Sequence, residues 1–269
     1  MNATSDGSKV LYDASPVPPR EAVQRWRLVL ARDAIPPAAV GREQQSAWET
    51  AFAECALPVA GLDALKPRPR YAQAAPLGAG IPGEAELLDL WLTERLPAWR
   101  VREVLEASMP ARWRLVDLYD VWLGEAALPG RVAASVYRAT FAPGSVSVDA
   151  LREAAAALLG RTSLPRERRK GEAVVAYDLR PFIDGVVVAG GSADGGPIVT
   201  MTLRHDPEKG VGRPDELLAA LGERAALVLV PSSLVRERLV LGDPPPPPPP
   251  APRRRPAARP PGSVGRQRL

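Results

Sequence analysis

The 269-residue chain reads as a mixed α+β protein of two successive units with like element order, followed by a disordered Pro/Arg-rich tail. Three observations point there. Stretches of two-residue apolar alternation are interleaved with stretches of 3.6-residue periodicity, so strands and helices share each half of the chain. The order strand–helix–strand–strand–helix–strand fills the first half and nearly recurs in the second. Apolar periodicity stops at about Leu241, after which seven consecutive prolines, Pro244 to Pro250, lead into Arg253, Arg254 and Arg255.

In the first half, Trp26 to Ala31 alternates polar and apolar residues like a half-buried strand. Gln44 to Cys55 places Ala47, Trp48, Ala51, Phe52 and Cys55 on one helical face, and Leu57-Pro58 ends the helix. Tyr71 to Ala75 is short and extended. Glu86 to Thr93 alternates Leu88, Leu90 and Leu92 as a strand, and Pro97 to Met109 is a helix carrying Val101, Val104 and Leu105 on one side. Trp113 to Leu123 is again strand-like.

The second half opens with a strand at Ala133 to Ala142. An alanine-rich helix follows at Val148 to Leu159, stopped by Gly160. The basic run Arg166 to Lys170 leads to a short helix around Leu179 to Ile183. Strands at Val186 to Val188 and Ile198 to Arg204 are joined across the glycine-rich segment Gly190 to Gly196. Pro214 opens a helix reaching Leu221, and Ala226 to Val230 reads as the last strand. Both halves thus fit the βαββαβ order of a ferredoxin-like sandwich. The expected division is a flexible N-terminus at 1–22, domains at 23–124 and 131–242, and a disordered polyproline/arginine tail at 243–269.

From Pro244 to Leu269 the chain holds six arginines and no acid, so the rest of it carries 29 basic against 31 acidic residues despite an overall charge of +4. A polyproline run has no backbone donors for a helix or sheet and stays an extended spacer. An arginine-rich end on such a spacer suits phosphates electrostatically. Cys55 is the only cysteine, which excludes an internal disulfide, a multi-cysteine zinc site and an iron–sulfur cradle. Met1 to Pro19 lacks an apolar signal core, and no window approaches the ~20 apolar residues of a membrane helix. A cytoplasmic protein with no membrane role is expected.

Three stretches resemble the radical SAM-linked protein family, whose members are found beside or fused to cobalamin-binding-type radical SAM proteins. The first comprises Leu57-Pro58, Ala64-Leu-Lys-Pro-Arg-Pro-Arg-Tyr71, Pro76-Leu-Gly-Ala-Gly80, Glu86 and Asp89. The second is Arg168-Arg-Lys-Gly171 with Asp178-Leu-Arg-Pro-Phe-Ile183, and the third is Gly212-Arg-Pro-Asp-Glu-Leu-Leu218. On this resemblance Pro67, Pro69, Pro76, Gly80, Glu86, Asp89, Asp178 and Pro214 are motif positions, and the expected partner is a separate radical SAM enzyme. The family's Ser-His-Leu-Asp motif falls by spacing on Val40, Gly41, Arg42 and Glu43, so its histidine is absent here.

Catalytic material is sparse. His205, the only histidine, stands at a strand end beside Asp206 and reads as a solvated or capping residue. Ser232-Ser233 lacks a nucleophile-elbow pattern, and the Gly190 to Gly196 glycines fit no phosphate-binding fingerprint. No catalytic residue, metal ligand or cofactor is expected. Binding material is richer. Lys66, Arg68 and Arg70 alternate with Pro67 and Pro69 on a stiff segment, and Arg168, Arg169 and Lys170 make a second cluster. Arg180 and Arg213 lie in the later motifs, and Arg253, Arg254 and Arg255 in the tail. Arginine's planar fork suits phosphate; the alternative is that these cations pair with the chain's acids or cap helices. The expected function is a non-catalytic accessory protein contacting RNA or the ribosome. A protein–protein adaptor is the first alternative and an RNA-modifying or RNA-cleaving enzyme the second.

Overall fold

Alternation and caps mark out most of the elements seen in the computed structural model, which describes residues 19–35, 42–171, 173–191 and 195–243. They are β1 (Gln24–Arg32), α1 (Arg42–Glu54), β2 (Tyr71–Gln73), β3 (Gly83–Leu92), α2 (Ala98–Ser108) and β4 (Trp113–Val121) in the first half. The second half has β5 (Val132–Thr140), α3 (Val148–Leu159), β6 (Pro165–Lys170), β7 (Ala173–Asp178), β8 (Ile183–Ala189), β9 (Ile198–Asp206), β10 (Gly210–Val211), α4 (Pro214–Ala225) and β11 (Ser233–Leu241). Ser147 caps α3 by accepting from the Ala150 N–H, and Gly160 closes it. Pro214 begins α4 with Asp215 and Glu216 in its first turn, where the helix dipole favours them.

The strands form a nine-stranded, mostly antiparallel sheet in the order β10-β9-β5-β11-β3-β1-β4, with β2 also on β3 and β8 also on β9. The sheet runs unbroken across the middle of the chain. The join is a parallel contact of β11 with β3, Arg236 opposite Gly83, with the Arg236 N–H donating to the Pro82 carbonyl at 2.9 Å. Among the described residues the structure is thus a mixed α+β fold with four α-helices, a mostly antiparallel nine-stranded sheet and a separate two-stranded one. A first apolar core lies under α1 and α2, where Trp48 stacks on Phe52 (centroids 5.1 Å apart) and meets Trp113 edge-on at 5.1 Å. A second packs Leu151, Leu158, Leu217 and Leu221 against Val199, Met201 and Leu203.

Three expectations change. The first strand, read as half-buried, is covered on both sides, because its arginines are neutralised beneath a chain segment instead of facing water. Ala226 to Val230 is no strand: Ala226 adopts φ 54° as the cap of α4, and Val228 is 91 % exposed. The last strand is instead Ser233–Leu241, whose Arg-Glu-Arg centre hides its alternation. The basic run at 166–170 does not lead straight to a helix. It forms β6, which turns back through Gly171 (φ 64°) into β7 as a separate two-stranded ribbon. The short helix that follows is a single 3-10 turn, Arg180–Phe182. The tail with Arg253, Arg254 and Arg255 lies outside the described residues, as do Val40 and Gly41.

Candidate functional site

The Lys66–Arg70 segment runs as a rail along the end of β3. The Arg68 N–H donates to the Gly61 carbonyl (3.0 Å), Arg70 N–H to Ala60 (2.8 Å), and Trp91 N–H back to Arg70 (3.1 Å). Gly61 sits at φ 89°, and a Cβ there would lie 2.4 Å from the Arg68 carbonyl oxygen, so the rail's close approach needs glycine. Arg70 stacks on the Trp91 ring at 4.8 Å, and a second guanidinium, Arg25, lies over the same ring at the same distance. Lys66, Pro67 and Arg68 face solvent, while Pro69 is half-buried.

The second cluster is the β6–β7 ribbon. Its register pairs Arg166 with Tyr177, Arg168 with Val175, Arg169 with Val174 and Lys170 with Ala173. The root is pinned: Arg166 Nη1 donates to both Glu223 oxygens at 2.6 and 2.8 Å, and the Tyr177 hydroxyl bonds Glu216, both acids on α4. Asp178 closes it by accepting the N–H groups of Leu164 (2.7 Å) and Arg180 (2.9 Å). Those two bonds hold the Asp178 carboxyl below its ordinary range against the opposing pull of burial. Beyond the root, Ala173 to Ala176 are exposed.

Arg180 and Arg213 stand apart from both clusters. Arg180 spends its guanidinium on three carbonyls, those of Arg161 (2.9 Å), Ile183 (3.0 Å) and Leu159 (3.0 Å), tying the end of α3 to the start of β8. Arg213, ahead of α4, pairs with Asp215 at 3.1 Å. Other motif residues hold backbone: Pro214 is the buried first residue of α4, and Gly80 takes φ 73° while its N–H reaches the Ile35 carbonyl.

The motif acids Glu86 and Asp89 anchor two buried charge networks that residue patterning alone does not reveal. Asp89, fully buried, accepts from Arg25 Nε (3.0 Å) and Nη2 (2.5 Å) and from Arg27 Nε (2.8 Å) and Nη2 (3.1 Å). Arg25 also donates to the carbonyls of Glu125 (2.6 Å) and Ala126 (3.1 Å), so the network carries the crossover between the halves. Burial pulls the Arg27 pKa down, but the Asp89 hydrogen bond and charge, with Glu125 behind, outweigh it and hold it above its ordinary value. In the second network Glu86 meets Arg236 in a two-point pair, and Arg236 also donates to the carbonyls of Pro76 (3.2 Å) and Ala75 (3.1 Å). The readable signal was the pairing of a Glu-x-x-Asp strand with arginines at alternate positions of another strand.

His205 lies beside this second network, half-buried in β9, with its Nε2 2.8 Å from the Ser135 hydroxyl. This replaces the solvated loop position expected of it. Asp206 does not orient the ring; its carboxylate accepts the N–H groups of Glu208 and Lys209. Burial, with the Arg236 cation adding to it, pushes the His205 imidazole down to about 4. The folded pKa is depressed below the unfolded ~6.5, so the unfolded chain binds the extra proton between them. The stability His205 supports is complete above about pH 6.5 and is lost as pH falls towards 4. Between pH 7 and 5 the loss should be about 1–2 kcal/mol after allowance for solvent screening. Urea unfolding of His205→Gln should show a flatter pH dependence than the parent chain; equal slopes would rule the assignment out.

Among the described residues no group of three or more His, Cys, Asp or Glu side chains is placed to hold a metal. Among the described residues no helix is long and apolar enough to cross a membrane. Fold and site together describe an α+β protein with buried arginine–carboxylate networks and a separate two-stranded ribbon. The chain belongs to the family described as "Uncharacterized protein conserved in bacteria (DUF2344)", whose model matches residues 42–211. That match carries no link to radical SAM proteins. No curated protein matches. Among solved structures, the chain is similar to one titled "Crystal Structure of a Cbf5-Nop10-Gar1 Complex", at 9 % identity and a TM-score of 0.42. The match covers 79 % of this chain and 49 % of that one, so it spans about half of the solved chain's length.

Proposed function

We propose that this protein is a non-catalytic, cytoplasmic accessory of a separate radical SAM enzyme and contacts RNA, whether a tRNA, an rRNA or a ribosome-linked substrate. The observation that carries the RNA contact is the basic β6–β7 ribbon, which stands outside the main sheet with four cations between positions 166 and 170. The radical SAM partner rests on the resemblance of the three motif stretches. In this reading the partner supplies the cluster and S-adenosylmethionine, and this chain positions the substrate. Each half is read as a ferredoxin-like unit, which the antiparallel orders β4-β1-β3-β2 and β11-β5-β9-β8 support.

One observation favours a second reading, a protein–protein adaptor. A groove of about 610 Å³ runs beside α4, lined by Leu218, Ala219, Leu227, Leu229 and Leu234, and apolar grooves of this kind receive peptide segments. A pull-down with the full chain from native lysate, with and without ribonuclease, separates the two. The accessory reading expects both RNA and a radical SAM protein. Protein partners that survive ribonuclease with no RNA recovered would favour the adaptor and remove RNA from the account.

A further inference from the structure

We propose that the chain forms a two-fold dimer in which Leu227–Pro231 of one copy pairs antiparallel with the same segment of a second copy, over the apolar groove beside α4. The segment, Leu-Val-Leu-Val-Pro, has the composition of a strand and carries no charge. It is pinned at one end by the Leu227 N–H on the Gly222 carbonyl (2.9 Å) and at the other by the Ser232 N–H on the Thr140 carbonyl (2.8 Å). Gly222 lets it lie close, since a Cβ there would stand 2.5 Å from the Leu227 carbonyl oxygen. Between the pins, the N–H groups of Val228, Leu229 and Val230 meet no acceptor among the described residues. Side chains alternate along it. Leu229 packs against the second apolar core, whereas Val228 is 91 % and Val230 74 % exposed, with Leu227 at 46 % beside them. The Leu229 nitrogen lies 3.5 Å from where a Gly222 Cβ would be, so by alternation the Val228 and Val230 N–H groups point away from α4. An extended edge with free N–H groups and apolar side chains is a template for a further strand.

The groove decides what kind of strand. The two acids on its rim are already neutralised, Asp215 by Arg213 (3.1 Å) and Glu223 by Arg166 (2.6 Å), and its other walls are apolar or glycine. A charged peptide finds no free counter-charge there, so the occupant is a neutral, apolar, extended segment. Leu227–Pro231 is such a segment, and it borders the groove itself. A patch that carries both the strand and the groove is self-complementary, which a two-fold interface requires. Centring the pair on Leu229 sets Val228 opposite Val230 of the second copy, twice over, with no charge in the paired stretch. At their exposures Leu227, Val228 and Val230 lay open roughly 300 Å² of apolar surface per copy. That is a substantial part of the ~800 Å² each partner of a stable complex buries, and the groove walls add to it. The adaptor reading needs a separate peptide for this groove; here a second copy fills it.

The test is sedimentation velocity on the full chain from about 1 to about 100 μM, the range in which a modest interface associates. The parent should pass with rising concentration from 28.8 kDa to twice that mass. Val228→Asp with Val230→Asp should stay monomeric throughout, because carboxylates of one copy then face carboxylates of the other. Val228→Thr with Val230→Thr keeps the shape and the strand propensity and should weaken association about tenfold or more, which serves if the aspartates impair folding. Hydrogen exchange on the parent should be slow at the Val228 and Val230 amides at high concentration and fast at low. A parent that is monomeric at every concentration overturns the proposal and leaves the groove to a peptide of another protein. A dimer that survives both variants unchanged, or whose Val228 and Val230 amides exchange freely, overturns it by placing the interface elsewhere.

Discussion

Asp89→Ala should destabilise the fold by about 3–5 kcal/mol, because it strands two buried guanidinium groups at once. Arg25 and Arg27 are 1 % and 3 % exposed, and Asp89 is their shared counter-charge. Removing one member of a buried pair costs far more than the pair contributes, since the remaining charge has neither water nor partner. Domains of this size hold about 5–15 kcal/mol in total, so the variant should unfold at clearly lower guanidinium concentration or fail to accumulate. Asp89→Asn keeps the shape and one acceptor and should fall between, which keeps the measurement possible if alanine is too severe. Arg25 also holds the carbonyls of Glu125 and Ala126, so protease sensitivity in the crossover should rise in both variants. A loss below about 1 kcal/mol for Asp89→Ala would mean that water reaches the network and that the burial is not functional.

Where elements carry local signals, the sequence was legible. The helix at Val148–Leu159 has a Ser cap, an alanine-rich body and a terminal glycine, and its bounds are those expected. Misreadings came where tertiary partners override propensity. Ala226–Val230 has the composition of a strand, but Ala226 takes the left-handed cap of α4 and the Leu227 N–H returns to the Gly222 carbonyl, so the last strand begins only at Ser233. Arg25 and Arg27 read as the polar side of a half-buried strand because their partner, Asp89, comes 64 and 62 residues later. The ribbon was hidden because a run of four cations in five residues lacks strand propensity, and its stability comes from Glu216 and Glu223 on a helix far along the chain.

The same long-range logic sorts the arginines that composition could not. A chain with four lysines and a large excess of arginine gives each guanidinium a planar fork able to hold carbonyls and carboxylates together. Arg25, Arg27, Arg32, Arg180 and Arg236 use that capacity internally; Arg32, for instance, donates to the carbonyls of Leu77 (3.3 Å), Gly78 (2.8 Å) and Ile81 (2.8 Å). Burial lowers the Arg32 pKa, and Arg236 nearby lowers it further, only partly countered by Glu86. The motif stretches therefore mark scaffold: Glu86, Asp89, Asp178 and Pro214 hold the fold.

Arg236→Ala should be the second severe substitution, and its effect should concentrate at the join between the halves. Arg236 is 1 % exposed and sits where β11 meets β3. It binds Glu86 at two points and donates to the Ala75 and Pro76 carbonyls, so one side chain from the end of the chain ties together two segments of the first half. Burial lowers its pKa, but the Glu86 hydrogen bond and charge more than offset this and hold it above the ordinary value. Truncation leaves the Glu86 carboxylate buried without its cation and two carbonyls without donors, an expected loss of about 3–5 kcal/mol. Because β11 and β3 join through this one parallel contact, the loss should also split unfolding into two transitions, each following one apolar core. Hydrogen exchange should quicken first at Ala75 to Pro82 and in β11, while β1 and β9 stay protected. A single transition shifted uniformly, with no local loss of protection, would show that the halves are joined by the sheet as a whole and that Arg236 is not its clasp.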